Sequence, residues 1–187
     1  LADGISYNFA PDASGPAATP NAEQGTGTKL RVTFDSYGGM PNAAGIYIMY
    51  GMTNAQVDLN GVGNPAGVLA YVNNTSWVNV PNTQVNINID SLGRLTLVVG
   101  GVNIFTNLQL PADFVNSDKS SWVHVFKSRT GGIAGAWSID DLDIKQASLL
   151  PGFTTYQDVL NNTTNFYVSE MGTNGCASPR VLVTAAV

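Results

Sequence analysis

The chain has little of what several classes of protein depend on. Cys176 is its single cysteine, so no disulfide can form within the chain, and charged residues make up only 11% of it, against about 25% in typical soluble proteins. No apolar run approaches the roughly 20 residues that a membrane-spanning helix needs, which argues against membrane insertion. The eight lysines and arginines are scattered over a chain of net charge −5. They form no basic stripe in the sequence, which argues against nucleic-acid binding.

What the chain does contain favours short strands joined by polar turns. Gly, Asn, Thr, Val and Ser are abundant, and 44% of the 187 residues are hydrophobic. That length suffices for one large domain with a remainder. Low charge and polar turns are more typical of an exported protein than of a cytoplasmic enzyme. Residues 1–4 do not form a signal peptide, and we expect the sequence to begin as mature protein or as a fragment.

Apolar and polar residues alternate in many short segments, which is the period of a strand with one buried face. Residues 46–50 are apolar at every position, which predicts a central strand. The segments with strand character are residues 5–9, 30–35, 46–50, 67–72, 84–89, 94–99, 102–105, 122–128 and 137–144, with further strand pieces at 154–156, 165–169, 175–176 and 181–183. Short turns join the three segments within residues 84–105, which predicts an antiparallel meander. Residues 110–114 form a connection in which we expect a helical turn. Apolar residues nowhere recur at helical spacing over three turns. The pattern predicts an all-β fold, a sandwich of antiparallel sheets over residues 1–148, followed by a short β-rich segment at 149–187.

Five motifs occur in order along the first part of the chain: residues 2–6 (ADGIS), 23–27 (EQGTG), 32–37 (VTFDSY), 129–132 (RTGG) and 138–140 (SID). In this order they resemble the concanavalin A-like lectin/glucanase superfamily, and in particular the legume-lectin-like domain of bacterial surface proteins. The resemblance covers about residues 1–146. It implies a jelly roll of two antiparallel sheets whose first strands would precede Leu1.

The tail of the chain carries a second resemblance. Residues 165–180 resemble the last strands of immunoglobulin-like repeats in large secreted adhesins of Bacteroidota. This resemblance implies neighbouring domains of a larger surface protein. The cysteine of such repeats pairs with an earlier one, which this chain lacks. Either the partner of Cys176 lies outside this chain, or the match is partial.

The lectin resemblance implies a sugar site at the loops of one end of the sandwich. Asp3 matches the aspartate that accepts hydrogen bonds from sugar hydroxyls in legume lectins, where a cis peptide bond precedes it. The alternative is an exposed aspartate at a frayed strand end. Sugar recognition also needs an aromatic platform and amide or backbone donors. The candidates for these roles are Tyr37, Asn42, Gly131, Gly132 and Trp137.

Legume lectins also hold calcium and a transition metal around the aspartate of a Phe-Asp motif, which Asp35 matches. The positions of four further ligands carry Thr33, Gly39, Ala44 and Met49. Calcium prefers six to eight oxygen ligands, so we predict no two-metal site and no cofactor. Asp35 is then expected to fix its loop by hydrogen bonds. Asp35, Asp140 and Asp141 remain the candidates if calcium binds at all.

A catalytic role is not expected. The glucanase branch of the superfamily carries paired carboxylates on one strand, whereas Glu23 and Glu170 are the only glutamates here and neither lies in such a motif. His124 lies within a strand, with no serine or cysteine motif beside it, and is expected to be a structural histidine. A glycoside hydrolase or lyase is the least favoured alternative.

The leading hypothesis is a non-catalytic module of a secreted cell-surface adhesin that binds a glycan or another surface polymer. The alternative is a structural spacer or assembly module of a surface fibre that binds no sugar. Loss of the metal ligands favours the alternative, and a 10–27 loop that fills the sugar groove would support it.

Overall fold

The computed structural model describes residues 3–14, 24–37, 43–51, 67–130 and 136–145, and the backbone of strands at 164–168 and 181–185. The chain divides into two compact units, Leu1–Leu142 and Asp143–Val187. The predicted boundary between residues 148 and 149 falls outside the described residues.

Strands dominate the described part of the larger unit. Its elements are β1 (Gly4–Ala10), β2 (Leu30–Asp35), β3 (Gly45–Met49), β4 (Val68–Val72), β5 (Val85–Ile89), β6 (Arg94–Val99), β7 (Val102–Gln109), α1 (Ala112–Asn116) and β8 (Val123–Arg129). The short helix α1 follows Pro111, where the sequence predicts a helical turn. No helix among the described residues is long and apolar enough to span a membrane.

One antiparallel sheet has five strands in the order β4-β3-β2-β1-β8. Every residue of β2 and β3 is buried, which confirms the predicted central position of residues 46–50. In β2 the apolar side chains of Leu30, Val32 and Phe34 point to one face. The polar side chains between them point to the other face, so this sheet is covered on both sides.

A second antiparallel sheet has three strands in the order β5-β6-β7. Its first turn is held by Asp90, whose Oδ1 accepts hydrogen bonds from the backbone N–H groups of Leu92 and Arg94 at 2.9 Å each. Gly100 and Gly101 make the second turn with φ of 57° and 81°, a region that favours glycine. The predicted meander is confirmed, and β7 is longer than residues 102–105.

The core lies between these two sheets. Leu30, Val32 and Ile48 from the five-stranded sheet join Leu95 and Leu97 from the three-stranded sheet in one buried apolar cluster. The chain is therefore an all-β protein with two antiparallel sheets packed as a sandwich. The finer jelly-roll connectivity stays a prediction.

The segment after the loop at 131–135 differs from the prediction. Residues 137–144 were expected to form the last strand, but residues 136–145 lie in no strand. Asp141 has a φ of 50°, which no extended strand accommodates. Its backbone N–H instead bonds to the Asp140 carboxylate at 2.9 Å, because a short acidic side chain competes with the ladder for backbone hydrogen bonds.

In the second unit, β9 (Thr164–Val168) pairs antiparallel with β10 (Val181–Ala185), and Val181 lies opposite Val168. The sequence predicts strands at both places. Cys176, the predicted strand pieces at 154–156 and 175–176, and Glu170 lie outside the described residues.

Candidate functional site

The candidate site lies where β1 begins and both of its neighbours end. Gly4 is the register partner of Asp35 on β2 and of Arg129 on β8. Asp3 therefore lies between the ends of two strands. Its backbone N–H donates to the Arg129 carbonyl at 2.9 Å, and its carbonyl accepts from the Ser36 N–H at 2.8 Å and the Ser36 hydroxyl at 2.9 Å. Asp3 is thus held on both sides, unlike an aspartate at a frayed strand end.

The side chain of Asp3 meets that of Arg129. Arg129 Nε lies 3.4 Å from Asp3 Oδ2, with 33% of the arginine side chain and 17% of the aspartate side chain exposed. A partly exposed pair of this kind contributes at most about 1 kcal/mol to stability. Its main consequence is therefore positional: a carboxylate and a guanidinium are held next to each other, with part of each facing water.

Tyr37 is two residues after the end of β2 and directly follows Ser36, which bonds to the Asp3 carbonyl. Its side chain is 51% exposed, and its backbone N–H donates to Asp35 Oδ1 at 2.9 Å. Asp35 itself is 1% exposed. The buried Asp35 carboxylate thus fixes the backbone of Tyr37 at the start of the loop by a hydrogen bond. This confirms the prediction that Asp35 fixes its loop.

Trp137 belongs to the core more than to an open surface. Its ring lies 5.9 Å from that of Trp77, which packs edge-to-face on Phe34 at 5.6 Å. The indole Nε1 of Trp137 is inaccessible to water and has no hydrogen-bond partner within the described ranges. Of the two aromatic candidates, Tyr37 is the more exposed, and a ligand role for either residue stays a prediction.

Asn42, Gly131 and Gly132 lie outside the described residues, and so does the peptide bond before Asp3. Their predicted roles therefore stay predictions.

The structure does not bring the candidate metal ligands together. Asp35 contacts the Tyr37 N–H, while Asp140 and Asp141 are exposed and bonded to each other through Asp140 Oδ1. In the second unit Asp143 pairs with Lys145 at 2.6 Å. The part of the chain that the structure describes contains no group of three His, Cys, Asp or Glu side chains that could share an ion. The absence of calcium therefore stays a prediction.

On the face of the five-stranded sheet opposite the core, β1 and β2 are covered by a segment that we call the strap, residues 24–28. Asn8 on β1 is fully buried beneath it and accepts a hydrogen bond from the Thr26 N–H at 3.1 Å. Thr33 Oγ1 donates to the Gln24 carbonyl at 3.3 Å. Gly25 fits because a Cβ there would lie 1.8 Å from Asn8 Oδ1. The strap thus satisfies polar side chains that would otherwise be buried without partners.

Arg31 lies under the same strap. It is 1% exposed, and its Nε donates to the Gly27 carbonyl at 2.8 Å. Burial lowers the pKa of Arg31 to about 10, while the nearby negative charge of Asp12 acts in the opposite direction. Asp12 Oδ1 also accepts the Thr28 N–H at 2.9 Å. An arginine and an aspartate thus anchor the strap end nearest β2.

His124 on β8 is a bonded strand histidine, as predicted. Its Nδ1 lies 2.8 Å from the Tyr7 hydroxyl, and its ring stacks on Phe9 with centroids 4.4 Å apart. Burial raises the pKa of Tyr7 to about 12 and lowers the pKa of His124. The pair therefore stays neutral near pH 7 and extends the aromatic packing of the core face.

Comparisons of the chain with family models, with curated proteins and with solved structures gave no match. The resemblances described from the sequence therefore stay predictions.

Sequence reasoning missed two members of the site, Ser36 and the side chain of Arg129. Both lie at strand ends that flank Asp3, but only the register of β1 with β2 and β8 brings them together. The sequence shows a polar residue at or just after the end of each of these two strands. Such residues point to a shared site only when the strand order is known.

Proposed function

We propose that the chain is a non-catalytic binding module that recognises a glycan, or a similar hydroxyl-rich surface polymer, at the site formed by Asp3, Ser36, Tyr37 and Arg129. The observation that carries the proposal is the Asp3–Arg129 pair, in which the Asp3 backbone is held by hydrogen bonds to Arg129 and to Ser36, the residue that precedes the exposed Tyr37.

The chemistry of the site suits sugar hydroxyls. A carboxylate accepts hydrogen bonds and a guanidinium donates them, so the two together can bind a pair of neighbouring hydroxyl groups, each of which both donates and accepts. The ring of Tyr37 can pack on the apolar face of a sugar, and its hydroxyl adds a polar contact. The backbone hydrogen bonds of Asp3 also favour binding, because a side chain that is already held in position loses less conformational entropy when a ligand binds.

This role fits an extracellular, cell-surface protein of the adhesin type, with the concanavalin A-like jelly roll as its proposed scaffold and neighbouring domains as its proposed partners. The low charge and the polar turns support that placement. Calcium is not part of the proposal, which rests on the side chains of the site alone.

A glycan array followed by titration calorimetry tests the proposal. Binding should appear in the presence of EDTA. Arg129→Gln should weaken it about 10-fold or more, the effect of removing a hydrogen bond to a charged group. Arg94→Gln is the matched control because Arg94 also pairs with an aspartate, Asp90 at 2.7 Å, on the other sheet. The proposal fails if no glycan binds, or if both arginine variants bind as the unchanged protein does.

The second candidate is a structural spacer or assembly module of a surface fibre. The strap favours it, because it covers Asn8 and Thr33 on the outer face of β1 and β2 with fully buried polar contacts. A spacer should show no glycan binding on the array and should resist proteolysis within residues 24–37. Early cleavage in that range would count against it.

A further inference from the structure

The strands that the structure describes in the larger unit leave four sheet edges: β4 and β8 in the five-stranded sheet, and β5 and β7 in the three-stranded sheet. An edge strand presents unpaired backbone N–H and C=O groups to its surroundings. Proteins protect such edges against pairing with charged side chains, prolines or bulges. Three of these edges carry a protection of this kind, whereas β5 carries none.

Each of the other three edges is protected in its own way. β8 carries Lys127 and Arg129. β7 shifts its register against β6 twice, and its Asn107 has a φ of 53°. β4 shifts its register against β3, and its Val72 carbonyl accepts the Asn74 N–H at 2.9 Å. Irregularities of this kind twist an edge away from a flat partner strand.

β5 is regular and uncharged. Val85–Ile89 pair with β6 in one unbroken register, and among the described strands β6 is their only partner. Residues 84–89, QVNINI, contain no charge, no proline and no glycine. Val85 is 41% exposed, and Asn86 and Asn88 are exposed as well. Uncharged strand segments of this length pair readily with another strand when they lie at an exposed edge.

The open side of β5 offers a regular set of backbone groups. The Gly100 N–H donates to the Gln84 carbonyl at 2.9 Å, so the even-numbered residues of this strand bond to β6. Bonded positions alternate along an antiparallel ladder. The odd-numbered residues Val85, Ile87 and Ile89 therefore direct their N–H and C=O groups away from β6.

The sequence of β5 is complementary to itself when two copies pair antiparallel about Ile87. Ile87 then lies opposite Ile87 of the second copy, Val85 opposite Ile89, and Asn86 opposite Asn88. Apolar side chains thus meet on the face of Ile87 and Ile89, which pack on the core. Asparagine amides, which both donate and accept hydrogen bonds, meet on the exposed face. No like charges are opposed.

We propose that β5 is a docking edge for a second copy of this chain, which pairs antiparallel about Ile87 and joins the two three-stranded sheets into one continuous sheet. A contact about a twofold axis is closed, so it yields pairs of molecules and not a fibre. Five strand residues make an edge only about 17 Å long, which places the contact at the small end of specific interfaces. We therefore expect a weak dimer that depends on concentration.

This inference is independent of the proposed function. If both hold, a dimer carries two copies of the glycan site, and a polymer with repeated units then binds with greater avidity than it does to the monomer.

Sedimentation velocity tests the proposal between about 10 μM and about 1 mM protein. The average mass should rise from that of the monomer toward twice that value. The double variant Asn86→Lys with Asn88→Lys should stay monomeric, because it sets lysine opposite lysine across the twofold axis. Asn103→Lys with Thr106→Lys is the matched control, since it adds the same charge at exposed positions of β7. The control should dimerise as the unchanged protein does.

A monomer at about 1 mM, or equal loss of the dimer in both double variants, would overturn the proposal. Thermal denaturation of the two double variants should give similar Tm values, which separates loss of association from loss of folding.

Disulfide cross-linking tests the register without added charge. Asn86→Cys and Asn88→Cys are made in separate chains that also carry Cys176→Ser. Opposed residues of a non-bonded pair have Cα atoms about 4.5 Å apart, within the range of a disulfide, whereas diagonal neighbours lie about 7–8 Å apart. Under mild oxidation, an equal mixture of the two variants should therefore cross-link several times faster than either variant alone. Equal rates in all three samples, or no cross-linked dimer, would overturn the pairing about Ile87.

Discussion

Replacement of Asn8 by alanine should destabilise the larger unit strongly, although Asn8 is a polar residue on the face of the sheet away from the core. Asn8 is fully buried. Its Oδ1 accepts the Thr26 N–H at 3.1 Å, and its Nδ2 lies 3.0 Å from the Val125 carbonyl and 3.2 Å from Ser6 Oγ. One side chain thus connects β1, β8 and the strap.

The size of the effect follows from these contacts. Alanine leaves the buried Thr26 N–H without its acceptor, which costs about 1–3 kcal/mol. It also removes the Nδ2 donor to Ser6 Oγ and to the Val125 carbonyl, at about 0.5–1.5 kcal/mol each. Because neighbouring effects are not additive, we expect a total of about 2–4 kcal/mol. For a unit of this size that is a fall in Tm of roughly 5–15 °C.

Tryptophan fluorescence during urea denaturation measures this effect, since Trp77, Trp122 and Trp137 all belong to the larger unit. The control is Asn86→Ala, an exposed asparagine on β5, which should change the free energy of unfolding by less than about 0.5 kcal/mol. Equal, small effects of the two substitutions would refute the assignment of Asn8 as the buried link between sheet and strap.

Three further predictions follow from the same contacts. Gly25→Ala should lower the Tm far more than Gly101→Ala. Both residues have a φ of 81°, but only at Gly25 would a Cβ meet a side chain. Equal losses of Tm would show that the backbone angle alone determines the cost of the substitution. Asp35→Ala should lower the Tm by the same amount in EDTA and in calcium, since the Asp35 carboxylate accepts a hydrogen bond from the Tyr37 backbone N–H. A fall in Tm seen in calcium alone would instead indicate that Asp35 is a metal ligand. Burial lowers the pKa of His124 below its ordinary value of 6.5. As the pH falls, the histidine therefore binds a proton in the unfolded chain before it does so in the folded one. The free energy of unfolding should decrease as the pH drops below about 6.5. His124→Gln should remove that part of the pH dependence, and an NMR titration that placed the pKa of His124 above 6.5 would contradict the sign.

The strand pattern was predictable because alternation and turn residues are local signals. Residues 30–35 predict β2, and residues 84–105 predict the meander, since each depends on side chains within a few positions of one another. The failure at 137–144 has a local cause as well. Asp140 and Asp141 interrupt an apolar alternation, and the Asp140 carboxylate takes the backbone N–H of Asp141.

The candidate site was predictable only in part. Asp3 and Tyr37 were named from the sequence, and Asp35 was expected to fix its loop, since the aspartate and the loop are adjacent in the chain. The contact of Arg129 with Asp3 was not foreseen because it joins residues at opposite ends of the unit through the register of β1 and β8. The burial of Asn8 and Arg31 was missed for the same reason, since the strap that covers them is recognised only in three dimensions.

The central claim is that the end of the five-stranded sheet at Asp3, Ser36, Tyr37 and Arg129 is a glycan-binding site. The most direct measurement is backbone amide NMR during titration with the best glycan from the array. We predict that the amide shifts concentrate at residues 3–4, 36–37 and 128–130, with residues 94–109 of the three-stranded sheet unchanged. Shifts that concentrate on the three-stranded sheet, or saturating binding without any change at Asp3 and Tyr37, would contradict the claim.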